Sequence, residues 1–501
     1  MPSEYEIALK ALVYGGDAMG RLPDGRAVFV PNALPGERVR LRLVKERRGY
    51  ARAELLEVLA PSPERITPRC KHYFSPLAHS SGAPQGCFAK GPGPVLPVLP
   101  QGHRDDVADT VRAANTGGTP VRDGRPGSKV EGVRACGGCH YQHMPYAAQL
   151  RVKEAILRDQ LERVGHIQNP PVRPIVPSPS EWNYRNHVQF HLTPEGKLGF
   201  VDLTPSTLLR TGPGPFAHSP RRGKHPFGAP ERRGENVIPI TECHLPEDPI
   251  NALWPQLGFD PDTGIQRVSL RLGADEDMML ILESEDANPP ELEIEADVSV
   301  VHLYEEDAVV LAGDDHIFIN VLGRPFRVSA ASFFQVNTPM AAALVNHLLT
   351  NLPISPNTTL LDVYCGVGLF SAFLAPHVKR LIGIESSPSA CEDFAFNLDE
   401  FDNVELYEGA AEEILPALAG RIANPTYALV DPPRAGLDKR VVDALLALRP
   451  GMIAYISCDP STLARDAARL IKGGYELQEV TPFDLFPQTY HIETISLFQK
   501  I

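Results

Sequence analysis

Over residues 1 to about 60 apolar and polar side chains alternate, in Glu6-Ile-Ala-Leu-Lys-Ala-Leu-Val13, Ala27-Val-Phe-Val30, Arg38-Val-Arg-Leu-Arg-Leu-Val44 and Ala53-Glu-Leu-Leu-Glu-Val-Leu59. Turns at Gly15-Gly16, Asp24-Gly25 and Pro35-Gly36 separate them, so the pattern predicts short strands closing into a small OB-like antiparallel β-barrel. Tyr146 to Gly165 changes period: Leu150, Ile156, Leu157, Leu161 and Val164 fall near helical spacing and Gly165 stops the helix. Strand-like runs follow at His187–Leu192, Val268–Leu272, Met279–Leu282, Val298–Leu303 and Ile317–Asn320. They predict a central, mostly antiparallel β region. From about Pro339 helical stretches alternate with Leu360–Val363, Leu381–Ile384, Asn403–Leu406, Tyr427–Val430 and Met452–Ile456, the signature of a parallel, doubly wound, Rossmann-like α/β sheet.

The chain therefore reads as multidomain: a barrel at 1–60, a central region at 61–330 and an α/β domain at 331–501, consistent with 501 residues exceeding one core. Two stretches, 75–134 and 205–236, are rich in Pro, Gly or Arg without sustained period and read as disordered insertions. No apolar run reaches the ~18 residues a bilayer demands, and Glu4 and Glu6 do not suit a signal peptide. The expectation is a cytoplasmic protein without membrane contact, read as a monomer. A net charge of −14 argues against indiscriminate nucleic-acid binding. Against that, Arg38, Arg40, Arg42, Lys45, Arg47, Arg48 and Arg52 make one basic edge suited to phosphate.

Candidate chemistry concentrates at the ends of the predicted parallel strands, where such sheets present functional groups. The first ends Asp362-Val-Tyr364-Cys-Gly366-Val-Gly-Leu369, and its glycines let backbone approach a ligand. The third glycine of a dinucleotide fingerprint is replaced by Ser371, which disfavours NAD. Glu385 ends the second strand about 20 residues later, placed for ribose hydroxyls. With Asp431-Pro-Pro-Arg434 at the fourth strand end, the set resembles S-adenosylmethionine (SAM)-dependent methyltransferases, although Asp362 also reads as a turn or capping carboxylate. Cys458 stands just past Met452–Ile456, and Glu493 precedes another strand-like run. A thiol and a carboxylate at neighbouring strand ends suit addition to an electron-poor ring followed by proton removal.

Ser332-Phe-Phe-Gln335-Val-Asn337, Asp362-Val-Tyr-Cys-Gly-Val-Gly, Asp431-Pro-Pro-Arg-Ala-Gly, Ser457-Cys458-Asp-Pro-Ser-Thr-Leu-Ala-Arg-Asp and Asp484-x-Phe-Pro-x-Thr-x-His-x-Glu493 occur in this order. Together they resemble the RNA (uracil-5-)methyltransferase family, and the N-terminal barrel resembles the TRAM domain of its 23S ribosomal-RNA branch. The resemblance implies Cys458 as nucleophile, Glu493 as base, and Gln335, Tyr364, Gly366, Leu369, Glu385 and Asp431 around SAM. It also implies an RNA substrate. Two positions depart from the family: Asp459 follows the nucleophile where asparagine is common, and Ala410 stands where a polar residue would help hold the cofactor. Phe333, Phe334 and Phe486 offer apolar surface to a flipped base or pack in the core.

Cys70, Cys136-Gly-Gly-Cys139 and Cys243 form a second cysteine set, while Cys87 lies inside the first insertion. Spacing alone allows zinc or an iron–sulfur cluster. The ribosomal-RNA branch places four cysteines in this arrangement around a 4Fe–4S cluster, and the resemblance implies one here. The leading expectation is methylation of 23S ribosomal RNA; tRNA uracil 54 is the same-chemistry alternative, and a non-catalytic RNA-binding iron–sulfur protein the alternative from another class. A cytosine-5 enzyme would carry a Pro-Cys motif, and no cysteine follows Asp431-Pro-Pro.

Overall fold

The computed structural model describes residues 4–73, 111–113, 136–202, 236–261, 263–290, 297–305, 307–418, 422 and 425–501. Within the two insertions this leaves only the short strand Val111–Ala113, parallel to Leu257–Phe259, and Asn236; Cys87 and the rest of both segments lie outside the described residues.

The alternating N-terminal pattern closes as expected. Glu4–Leu12, Ala18–Arg21, Ala27–Val30, Arg38–Glu46 and Tyr50–Ala60 form a five-stranded barrel in which the first strand pairs with both the second and the fourth. Ile7, Leu9, Val28, Val30, Val39, Leu41 and Leu55 fill it, because every second side chain points inward. The opposite face of Arg38–Glu46 is less basic than its sequence suggests. Arg40 pairs with Glu57 at 2.7 Å and Glu6 at 3.3 Å, and Arg42 with Glu4 at 3.1 Å.

The central sheet has seven strands in the order Asp307–Ala312, Ser299–Tyr304, Met278–Ser284, Ile265–Leu272, His187–Leu192, Leu198–Val201, Val237–Pro239. All neighbours run antiparallel except Met278–Ser284 with Ser299–Tyr304. The sequence pattern misses three of these strands: the neighbouring Leu198–Val201 and Val237–Pro239, too brief to show a period, and the edge strand Asp307–Ala312.

The C-terminal sheet also has seven strands, ordered Val404–Glu408, Arg380–Glu385, Thr359–Val363, Tyr427–Val430, Met452–Ser457, Glu493–Lys500, Tyr475–Phe483. The first five are parallel, and Glu493–Lys500 runs antiparallel to both its neighbours. Helices cover both faces, so the inner strands are largely buried. The order reverses at Thr359–Val363, which creates the crevice where ligands bind in such sheets.

Helix Tyr146–Arg163 packs against Pro460–Lys472 and carries buried polar residues, Gln149, Lys153 and Gln160, that periodicity alone would leave outside. Beyond it the chain runs along the free edge of Tyr475–Phe483. Val480 N–H donates to Pro171 O at 3.0 Å, Arg173 N–H to Val480 O and Val176 N–H to Pro482 O, both at 2.8 Å. Among the described residues no helix is long and apolar enough to cross a membrane.

Candidate active site and cysteine cavity

At the crevice the chain must turn sharply from strand to helix. Tyr364, Gly366 and Gly368 all have positive φ, 67°, 53° and 88°. Gly368 is obligatory on two counts, since a Cβ there would stand 2.3 Å from Leu398. The helix Leu369–Leu374 begins at once, so its first amides face the crevice. Three carboxylates surround this turn. Asp362 is buried and accepts from Ser371 Oγ at 2.6 Å, while its Oδ1 meets no hydrogen-bond partner among the described residues. It is therefore neither a cap nor a turn carboxylate but a buried support beneath the glycine loop. Glu385 accepts from Gly366 N–H at 2.9 Å, Ser386 N–H at 2.7 Å and Ser387 N–H at 2.8 Å. Backbone amides thus hold the carboxylate that the sequence assigns to ribose. Asp431 follows the strand Tyr427–Val430. Burial, then the charges of Asp362 and Glu385, push its carboxyl up to about 7. Asp362 is likewise raised to about 7, chiefly by burial.

Gln335 is buried, and its carbonyl accepts from Asn186 Nδ2 at 3.1 Å. Buried Arg271 fixes the preceding turn by donating to Ser329 O at 2.7 Å and Ser332 O at 2.8 Å. Asn337 then caps the next helix and donates to Leu485 O at 3.1 Å, tying this motif to the C-terminal one. Of the phenylalanines, Phe334 is core, packed on Phe326, whereas Phe333 is 70% exposed.

Cys458 and Glu493 meet through strand register. Ser457 pairs with Thr494 in the antiparallel ladder, so the next residue outward on each strand is Cys458 and Glu493. The Thr494 hydroxyl donates to Ser457 O at 3.3 Å and pins this end. Burial raises the Cys458 thiol, Glu493 adds to the rise, and Arg434 opposes it. Glu493 is held well above the usual carboxylate range by burial and Asp431, again opposed by Arg434. Arg434 is the cation to which the sequence reading gave no role of its own. Its signal was its place in Asp431-Pro-Pro-Arg434, at the end of the strand beside Cys458.

The loop Asp484–Glu493 is fastened from elsewhere in the chain. Lys153, fully buried, donates to Asp484 at 2.6 Å and to Phe486 O at 3.0 Å. Gln149 and Gln488 exchange two bonds of 2.9 Å. The amides of His140 and Tyr141 both donate to Gln488 O, and the Tyr184 hydroxyl donates to Pro487 O.

His140 immediately follows Cys139, so this loop abuts the second cysteine set. Cys70, Cys136, Cys139 and Cys243 line one cavity of about 140 Å³, together with Arg185 and Phe200. Burial raises Cys136 to about 12 and Cys243 to about 11, and Cys139 well above the usual thiol range; the thiols also raise one another. Among the described residues no three His, Cys, Asp or Glu side chains converge as a site for a metal ion. The Arg185 guanidinium, which lines the cavity, also lies 5.9 Å from the centre of the Phe486 ring.

Comparison with known proteins sharpens this. The family model described as tRNA (Uracil-5-)-methyltransferase matches residues 297–501, and the TRAM domain model matches residues 3–56. An uncharacterized RNA methyltransferase of Halalkalibacterium halodurans is 27% identical, covering 99% of this chain and 96% of its own. Another, from Aquifex aeolicus, is 29% identical over 99% and 98%. The tRNA (uracil-54, C5)-methyltransferase of Pyrococcus abyssi, solved with S-adenosyl-L-homocysteine, superposes with a TM-score of 0.61 at 19% identity. It covers 99% of this chain and all of that one, which shows a shared fold.

Proposed function

Because the chain belongs to the RNA uracil-5-methyltransferase family that carries a TRAM domain, and is a SAM-dependent RNA methyltransferase, we propose that it methylates carbon 5 of a uridine in 23S ribosomal RNA through a transient bond to Cys458. The observation that carries the reading is the register placing Cys458 beside Glu493 at adjacent strand ends. Cys458 Sγ adds to carbon 6 of the ring, which makes carbon 5 nucleophilic enough to accept a methyl group. Glu493 then takes the carbon-5 proton, the electron pair reforms the ring double bond, and Cys458 leaves as thiolate. A carboxylate whose proton affinity is raised by burial is suited to that removal. Arg434 offsets negative charge on both groups.

SAM supplies the electrophilic methyl when bound. A cationic sulfonium suits a crevice edged by Asp362, Glu385 and Asp431; the carboxyls of Asp362 and Asp431 are raised by burial and by the negative charge beside them. Gln335, Tyr364, Gly366, Leu369, Glu385 and Asp431 would hold it. We assign Cys70, Cys136, Cys139 and Cys243 to a 4Fe–4S cluster. Four thiols lining one cavity suit a polynuclear group bound by thiolates. Its place would be structural, since Cys139 leads directly into the amides that grip Gln488. A thiol nucleophile is suited to a reducing cytoplasm.

The competing target is uracil 54 of transfer RNA. The matched family description names transfer RNA, and the name of the Pyrococcus abyssi enzyme gives uracil 54 of transfer RNA. Mass-spectrometric mapping of 5-methyluridine in ribosomal and transfer RNA from a strain lacking the gene decides between them. Loss from 23S RNA supports the proposal; loss from transfer RNA alone overturns the target. A 5-fluorouridine oligonucleotide with SAM should trap a denaturant-stable adduct on Cys458, and failure to do so would remove the covalent step.

A further inference from the structure

Asp459, beside Cys458, departs from the family's asparagine, and its side chain sits where two remote parts of the chain meet. Its Oδ1 caps the helix Pro460–Lys472, accepting from Ser461 N–H at 2.9 Å and Thr462 N–H at 3.0 Å. Its Oδ2 accepts from the hydroxyl of Tyr14 at 2.9 Å. Tyr14 belongs to the N-terminal barrel, in the turn between Glu4–Leu12 and Ala18–Arg21. The ring is seated edge-on against Tyr490 of the Asp484–Glu493 loop, with centroids 5.9 Å apart. Neighbouring Gly16 also packs there, since a Cβ on it would meet the Tyr490 ring at 3.4 Å. The barrel thus reaches into the nucleophile's surroundings through one hydroxyl and one ring.

We propose that Tyr14 is a positioning residue for Cys458: by donating to Asp459 it offsets the extra negative charge that aspartate brings beside the nucleophile, and so makes the barrel part of the reaction centre. An asparagine cap is neutral, whereas a carboxylate next to a thiol opposes its ionisation. The groups facing Cys458 are Glu493, Asp431 and Asp459, which oppose thiolate formation, and Arg434, which favours it. A donor on Asp459 Oδ2 removes part of that opposition. The phenol keeps its proton for the task, because burial and Asp459 both raise it.

This inference rests on Cys458 being the nucleophile, and its test reads the thiol itself. The rate of Cys458 carboxamidomethylation by iodoacetamide, followed on its own peptide by mass spectrometry, is measured against pH. Tyr14→Phe should move the profile to higher pH and slow alkylation at pH 8 by about threefold to tenfold. Asp459→Asn alone should move it to lower pH, because asparagine still caps the helix without the charge. The double variant Tyr14→Phe/Asp459→Asn should regain at least the wild-type rate. A purely structural contact would predict no rescue, so an unrescued double variant overturns the proposal. A Tyr14→Phe profile coincident with wild type overturns it equally. If instead Cys458→Ala retained methyl transfer, the nucleophile assignment would fail while the alkylation profiles still decided the role of Tyr14.

Discussion

Two buried clusters dominate this molecule, and they differ in the acidic groups they bring together: a thiol beside carboxyls in one, thiols alone in the other. At the strand ends Cys458 and Glu493 stand with Asp431, but Arg434 is among them and opposes the rise of both. In the cysteine cavity four thiols lie together, all raised chiefly by burial, and Arg185 opposes the rise of Cys243. Mixed signs leave a thiol and a carboxyl able to exchange protons during a reaction. Four thiols around one cavity suit a ligand sphere, where a metal adds positive charge to that of Arg185. The loop Asp484–Glu493 lies between them, gripped by His140 and Tyr141 on one side and delivering Glu493 on the other.

The sharpest way to break this contrast is at the strand ends. Cys458→Ala should lower methyl transfer by at least about a thousandfold while SAM binding, followed by calorimetry, persists. Glu493→Gln should accumulate the RNA–Cys458 adduct, visible on a denaturing gel, because addition no longer depends on the missing base. In the cavity, Cys139→Ser should instead remove iron and its visible absorbance from anaerobically purified protein, with SAM affinity retained. A zinc content replacing iron would overturn the cluster assignment.

The bridge between the regions comes next. Lys153→Met leaves Asp484 buried without its cation and should cost about 3–5 kcal/mol in urea unfolding, whereas Lys153→Met/Asp484→Leu should recover much of that. A smaller effect is expected from pH. Asp431, raised to about 7, binds its proton in the folded protein where the unfolded chain has lost it. Its ionisation on going from about pH 4 to about pH 7 therefore costs stability. A bound sulfonium favours the ionised form, so SAM affinity should rise severalfold from pH 6 to pH 8, a dependence that Asp431→Asn should flatten. The least change is expected on the barrel. Arg40 and Arg42 already pair with glutamates, while Arg47 and Arg48, exposed in the turn before Tyr50, make no ion pair among the described residues. Arg47→Ala/Arg48→Ala should reduce the salt slope of RNA binding by about two, and Arg40→Ala/Arg42→Ala by less.

How much of this was written in the sequence depends on the span over which each relation holds. The barrel and the parallel sheet follow from alternation and from strands recurring between helices, and the places of Cys458 and Glu493 follow from apolar runs beside them. The basic edge is partly neutralised because the alternation that exposes Arg40 and Arg42 also presents Glu4, Glu6 and Glu57 on adjacent strands, a cross-strand relation no linear run displays. Lys153 hid for a related reason. On a helix with few apolar residues it looks like a solvent-facing charge, until Asp484, hundreds of residues later, accounts for its burial. Tyr14 sits in a glycine turn with nothing local to mark it. Arg434 and Asp362 were in view as motif letters, but which charges they face is a property of the assembled sheet.

The pairing of Pro171, Arg173 and Val176 with the outermost strand Tyr475–Phe483 bears on what can be cut from this enzyme. A fragment starting near Thr338 would keep every strand of the last sheet yet present Tyr475–Phe483 with a bare row of amides and carbonyls, an invitation to stack laterally with other copies. The α/β half is consequently not a portable cassette. Chimaeras that exchange RNA-recognition modules should carry residues 146–178 along with the catalytic end, or expect inclusion bodies rather than soluble product.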